Sequence, residues 1–216
     1  MAIVAGFDVH RAQITFDALD VETGEVSRGR IDATPAAVAG WVERFAGRQI
    51  DVAVEACTGW LFVCDALVAA GATPHLAEPV ETRALRGRNR RAKTDREDAK
   101  WLRQLLAEGR LPQAWIPPEH VRQWRSRARM RHTLVDERTQ WMQRIQATLF
   151  HHGISGTPEK LRTRAGRAFL DGLEVPEDAR ERIEIALAMV DAIEARIAPL
   201  ERELRQLARR QRAAAR

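Results

Sequence analysis

The sequence predicts an α/β domain with a mixed sheet and flanking helices, followed by a long helical region. Three observations predict it. The first 80 residues alternate short apolar runs with turn signals. From residue 95 onward the apolar residues recur only at helical spacing. Residues 183–207 carry a sustained apolar repeat in steps of three and four.

Taken in order, residues 2–9 read as a mostly buried strand, with 12–19 as its partner. A turn over Glu22-Thr23-Gly24-Glu25 leads to a third strand near 25–31, completing a β-meander. Pro35 opens a helix over 35–46, with Val38, Val42 and Phe45 at helical spacing. Residues 50–55 form a fourth strand. Thr58 is the expected cap of a helix over 59–71, ending at Gly71, and 73–78 form a short fifth strand. The order β-β-β-α-β-α-β is the skeleton of the ribonuclease-H-like fold, in which parallel strands are added to a meander through helical crossovers. A helix over 95–108 follows. Pro112, Pro117 and Pro118 mark a linker, and a long helix is expected from about 119 to 150. Residues 153–175 read as a loop with at most one short helix. The final stretch places Ile183, Ala186, Val190, Ile193, Ile197, Leu200, Leu204 and Leu207 on one seam, a coiled-coil signal. Pro199 lies inside it and predicts a kink or restart near 198.

The chain has 216 residues, 45% hydrophobic and 30% charged, which excludes wholesale disorder. No apolar run approaches about 18 residues, so no membrane span is expected. The start, MAIVAGFDVH, has no basic segment or cleavage site, so it does not read as a signal peptide and the expectation is a cytoplasmic protein. Cys57 and Cys64 are spaced for neither zinc nor redox work and read as buried free thiols. Tyr is absent, which excludes a tyrosine nucleophile; the serines are Ser27, Ser126 and Ser155. Charge is divided unevenly. Residues 1–80 carry five basic and eleven acidic residues, net −6, whereas 81–216 carry 30 and 19, net +11. A basic second half suits a polyanionic partner.

Four carboxylates carry the candidate chemistry. Asp8 lies inside the apolar first strand, where a lone charge is costly and a metal ion is one partner that relieves it. Glu55 ends the fourth strand, which this order sets beside the first. Asp95 and Asp98, spaced i, i+3, share one face of a helix start. Thr94 and Glu97 already form a capping box there, so helix capping does not use up the other two acids. Four such acids suit two Mg²⁺ or Mn²⁺ ions about 3.5–4 Å apart in an in-line phosphoryl transfer, because hard divalent ions prefer oxygen. His10, on the strand face of Asp8, reads as a minor ligand, a proton shuttle or simply a packed residue.

Gly6-Phe7-Asp8-Val9-His10, Glu55-Ala56-Cys57-Thr58-Gly59-Trp60 and Lys93-Thr94-Asp95-Arg96-Glu97-Asp98-Ala99, in this order, resemble the DEDD transposases of the insertion-sequence one-ten type. Their N-terminal domain looks like the RuvC Holliday-junction resolvase. The resemblance covers roughly residues 1–152. It implies that Asp8, Glu55, Asp95 and Asp98 are the catalytic, metal-binding acids of a nucleoid-associated recombinase. It also implies a structured guide RNA, DNA as substrate and assembly as a dimer or tetramer. On this basis residues 1–112 form the RuvC-like DEDD domain. Residues 113–216 form a helical nucleic-acid-binding region that dimerises through 183–207. Family members are longer and carry a serine nucleophile in a second domain after the coiled coil. The chain stops at Arg216, and none of its serines matches that place, so the expectation is a truncated gene product, a remnant or one half of a split enzyme, incomplete alone.

Two basic segments are candidate nucleic-acid contacts. Arg86, Arg88, Arg90, Arg91 and Lys93 lead into the Asp95/Asp98 pair and suit a phosphate-binding arm. Arg122, Arg125 and Arg129 lie on the long helix with Arg127, Arg131, Arg138 and Arg144, interleaved with Trp124 and Trp141. The two Trp residues equally fit that helix's packed face, with Val121, Ala128, Leu134, Ile145 and Leu149. A second reading of the chain is a non-catalytic coiled-coil nucleic-acid-binding protein whose acids only support helix starts. Actin-like ATPases and sugar kinases share the fold and an early strand Asp, but residues 90–216 lack the Gly-rich phosphate loops they need.

Overall fold

The computed structural model describes residues 2–86, 94–155 and 161–214, without the side chains of 211–214. The chain divides into two compact units, Met1–Ile116 and Pro117–Arg216. In the first, β1 (Ala2–Val9), β2 (Gln13–Asp20), β3 (Val26–Asp32), β4 (Gln49–Glu55) and β5 (Thr73–Ala77) form one sheet in the order β3-β2-β1-β4-β5. The β1–β2 and β2–β3 pairs are antiparallel, and β1–β4 and β4–β5 are parallel. Gly24, at φ 73°, makes the turn into β3. This mixed sheet with flanking helices is consistent with a ribonuclease-H-like fold.

The two faces of the sheet differ in chemistry. One carries Ile3, Phe7 and Val9 of β1, Ile14 and Phe16 of β2, and Val52 and Val54 of β4. These pack under α1 (Pro35–Glu43) and α2 (Trp60–Ala69), with Trp41 set edge-on to Phe7 at 4.8 Å and to Phe16 at 5.7 Å. On the opposite face the strands offer Gly6, Ala53 and Ala77. These small residues admit α4 (Asp95–Ala107), whose Leu102 and Leu105 cover Ala53 and Ala77. A Cβ on Gly6 would sit 2.1 Å from the Ala99 carbonyl oxygen, so only glycine allows α4 this close to β1. Asp17, buried on β2 opposite Gly6, is bound by Arg103 of α4 and by Arg28 at 2.6 Å. A buried carboxylate needs such partners, and here they tie α4 to the sheet.

Three local expectations are corrected in this unit. Gly59, not Thr58, is the N-cap of α2, and no side chain caps it. A further short helix, α3 (Pro79–Ala84), follows β5, with Pro79 in its first turn and the Glu78 carboxylate accepting from Glu81 N–H at 2.6 Å. The proline-marked stretch at 112–114 runs along β5 rather than as a free linker. The Pro112 carbonyl accepts from Glu78 N–H, Ala114 N–H donates to Leu76, and Gln113 bridges Ala77. Proline removes a donor but leaves its carbonyl available to a sheet edge.

In the second unit, α5 (Glu119–His151), α6 (Arg164–Asp171) and α7 (Glu177–Ala214) are built on one apolar cluster. Met142, Ile145 and Leu149 of α5 meet Ile183, Ala186 and Val190 of α7. Farther along, Arg138 pairs with Glu194 at 3.6 Å, Arg131 with Glu201 at 2.8 Å and Arg127 with Glu203 at 3.2 Å. Residue numbers fall on α5 as they rise on α7, so the two helices are antiparallel. The first part of the 183–207 seam is therefore covered within the chain, and Ile193 and Ile197 are buried too. A three-four repeat reports only that a helix has a partner; it does not say whether the partner is another copy. Three arginines read as polyanion contacts instead clamp this hairpin. Of the expected packed face of α5, Ile145 and Leu149 are buried and Trp141 packs on the cluster, while Ala128 is exposed. The helix is continuous through Pro199, so it does not restart there. An interior proline costs about 3 kcal/mol; Ile197, two residues before it, is buried, and Glu201, two residues after it, pairs with Arg131.

Candidate active site

The strand register brings the acids together. Gly6 and Asp8 lie on the face of β1 that meets α4. In the parallel β1–β4 ladder Phe7 is level with Val54, so Asp8 and Glu55 stand one step further on, at the same end of neighbouring strands. The N-terminus of α4 arrives at that end. Thr94 caps it, its hydroxyl accepting from Glu97 N–H at 3.3 Å, so Asp95 and Asp98 are not consumed by capping.

Asp8 is 5% exposed. His10 Nε2 lies 3.1 Å from Asp8 Oδ2 and 3.4 Å from Asp95 Oδ1, bridging the strand acid and the helix acid. Ligand atoms of Asp8, His10 and Asp95 all fall within 4.8 Å of one another. Burial pushes the Asp8 carboxyl above its usual range; His10 opposes that shift, and the nearby Asp98 and Asp95 charges reinforce it. Asp98 is held by Arg86, whose Nη1 lies 2.6 Å from Oδ1. Glu55, half-buried, shares a cleft with Asp98 on the α3 side. Asp8, Asp95 and His10 thus form the tight group. Asp98 adjoins it through its field on Asp8, and Glu55 borders it through the cleft beside Asp98.

This donor set fits a hard divalent ion. It offers carboxylate oxygens with one imidazole, no thiol, and an acid whose charge is disfavoured by burial and by the Asp98 and Asp95 charges. A cation placed among them would relieve that repulsion.

Of the basic candidates, Arg86 is engaged with Asp98 rather than open to a partner. Arg88, Arg90, Arg91 and Lys93 lie outside the described residues. In the second unit Arg122 is half-buried, and Arg125 and Arg129 are exposed. Trp141 carries Arg144 over its ring at 4.0 Å while packing on the apolar cluster, and Trp124 meets His120 edge-on at 5.2 Å. Cys64 is buried, and half-buried Cys57 donates to the Val9 carbonyl at 3.7 Å, so both are free thiols. Two features escaped sequence reasoning. One is the Arg86–Asp98 pair, which no spacing announces; the other is the Asp17–Arg103 tie, whose partners lie 86 residues apart.

The sheet order and the acids at the ends of β1, β4 and α4 are consistent with a ribonuclease-H-like domain that carries a candidate acidic centre. The family model of the IS110-type DEDD transposases, described as Transposase, matches residues 5–152, and the chain belongs to that family. No curated protein matches the chain. Among the described residues no helix is long and apolar enough to cross a membrane.

Proposed function

We propose that the chain is the metal-dependent, RuvC-like part of a mobile-element recombinase, acting on DNA phosphodiesters. The observation that supports this best is the convergence of Asp8, His10 and Asp95, with Asp98 beside them, in a chain of this transposase family. Asp8, Glu55, Asp95 and Asp98 are the proposed catalytic acids and would hold Mg²⁺ or Mn²⁺, one or two ions. Bound there, such ions activate the attacking oxygen and stabilise the leaving one.

The protein's own part is to fix these ligands. Asp8 is set by the strand, Asp95 and Asp98 by the capped helix start, and Glu55 by the end of β4. His10 Nε2, within reach of both the Asp8 and the Asp95 carboxylates, would orient them. Residues 1–112 are proposed as the DEDD domain. Residues 113–216 are proposed as the nucleic-acid-binding and dimerisation region, with Arg122, Arg125 and Arg129 on phosphates, DNA and a structured guide RNA as partners, and the nucleoid as the place of action. Self-association is proposed through the later part of the 183–207 seam, where Leu200, Leu204 and Leu207 are half-buried.

Calorimetry with Mn²⁺ tests the reading. Wild type should bind saturably and Asp8→Ala should not. Absence of binding by wild type favours the non-catalytic nucleic-acid-binding protein instead. Affinity for nucleic acid should fall by several decades with salt if six or more phosphates are contacted; a flat response removes the basic-segment argument.

A further inference from the structure

A cleft opens between α3 and α4, lined by Glu55, Thr82, Arg83, Arg86, Asp98 and Trp101. Its chemistry is two-sided. Glu55 and Asp98 supply carboxylates from β4 and α4, while α3 and the turn after it supply two guanidinium groups and a hydroxyl. Thr82 is 7% exposed, and its hydroxyl has no hydrogen-bond partner among the described residues. A buried hydroxyl is rarely left unsatisfied. The Thr82 carbonyl, by contrast, accepts from Trp101 Nε1 at 3.2 Å, which fixes the α3 backbone against α4. Arg86 lies over the Trp101 ring at 5.8 Å, donates from Nη2 to the Glu97 carbonyl at 3.3 Å, and holds Asp98 Oδ1 at 2.6 Å.

Arg86 therefore stands where a cation ligand of Asp98 would stand. For Oδ1 to serve a divalent ion, Arg86 must leave it. Once released, the guanidinium would remain part of the lining of this cleft, with a second arginine and the buried, unsatisfied Thr82 hydroxyl. Arginine forks and hydroxyl donors together are what a phosphodiester requires. We propose that this cleft seats a DNA phosphate flanking the acidic centre, and that Arg86 is handed from Asp98 to that phosphate as Asp98 takes up a divalent ion. The inference rests on the metal reading above and adds a coupling to it. Phosphate draws Arg86 off the acid, and metal frees Arg86 for phosphate, so each tightens the other by the same factor.

The test is Mn²⁺ titration of the full chain, read by electron paramagnetic resonance, with and without a short single-stranded oligodeoxynucleotide. Binding of Mn²⁺ by the DNA alone is subtracted. Arg86→Gln removes the competing charge, so it should bind Mn²⁺ alone about tenfold more tightly than wild type, the worth of one charge-assisted bond. The tightening that DNA gives to wild type should shrink in the same variant. Arg86→Lys keeps the charge, so its binding of Mn²⁺ alone should stay closer to wild type than that of Arg86→Gln, while loss of the fork should weaken the DNA coupling. Thr82→Val should leave binding of Mn²⁺ alone unchanged and weaken the DNA coupling. Equal or weaker Mn²⁺ binding by Arg86→Gln overturns the handover, and unaltered coupling in Thr82→Val overturns the phosphate seat. A wild type that binds no Mn²⁺ removes the metal reading itself, a different outcome from either.

Discussion

Replacing Gly6 with Ala tests how the acidic helix is held over the sheet. The added Cβ would lie 2.1 Å from the Ala99 carbonyl oxygen, 2.6 Å from Arg103 N and 2.9 Å from Leu102 Cβ. Two of these atoms are backbone, so no side-chain rotation relieves the clash. Helix α4 would have to retreat by roughly 1 Å to regain ordinary packing. Overpacking of this kind costs about 1–3 kcal/mol, and each kcal/mol lowers Tm by about 4–8 °C in a small domain. The same retreat pulls Asp95 and Asp98 away from Asp8, so Mn²⁺ affinity should fall about tenfold or more, since an ångström matters to a ligand sphere. Gly40→Ala is the control. Gly40 sits in α1, where an added Cβ would meet nothing within 4 Å, and the change should stabilise by about 0.5–1 kcal/mol. Thermal melts and Mn²⁺ titrations of both variants decide the matter. A Gly6→Ala protein with unaltered Tm and metal affinity refutes the argument that close approach of α4 builds the site.

Other perturbations probe the supports of the fold. Asp17→Asn leaves Arg103 buried with a weakened partner and should cost about 3–5 kcal/mol in a denaturant melt, whereas Asp17→Leu with Arg103→Met should recover most of the loss. Arg48 holds the Asp20 carboxyl well below its usual range. A depressed carboxylate stabilises above its unfolded pKa and loses that contribution as pH falls through the folded one. Asp20→Asn should therefore melt lower than wild type at neutral pH, with the gap closing under strong acid; a gap independent of pH contradicts the pairing. Leu149→Ala removes a fully buried side chain between α5 and α7 and should cost about 2–5 kcal/mol in the unfolding of the helical unit.

Much of the first unit was legible in the sequence because its signals are local. The apolar run at 2–9, the alternation over 12–19, glycine at the meander turn and the Thr94–Glu97 box each act within a few residues, and the strand order follows from how such elements connect. The convergence of Asp8 with Asp95 was legible only as an expectation, since it depends on which face of the sheet receives α4. That choice is made by Gly6, Ala53 and Ala77, whose smallness is silent until a helix lies on them. The seam at 183–207 shows the opposite failure. Its periodicity is strong, but periodicity names a buried face and not the partner, and the partner here includes α5 of the same chain. Arg86 read as a phosphate contact on charge alone, because charge does not reveal that a carboxylate 12 residues away stands within 2.6 Å.

Anomalous diffraction at the manganese edge, from crystals soaked in MnCl₂, tests the acidic centre most directly. The account predicts density at bonding distance, about 2.1 Å, from carboxylate oxygens of Asp8 and Asp95, lost in Asp8→Asn. Manganese bound only elsewhere on the surface, or density there that survives Asp8→Asn, would contradict it.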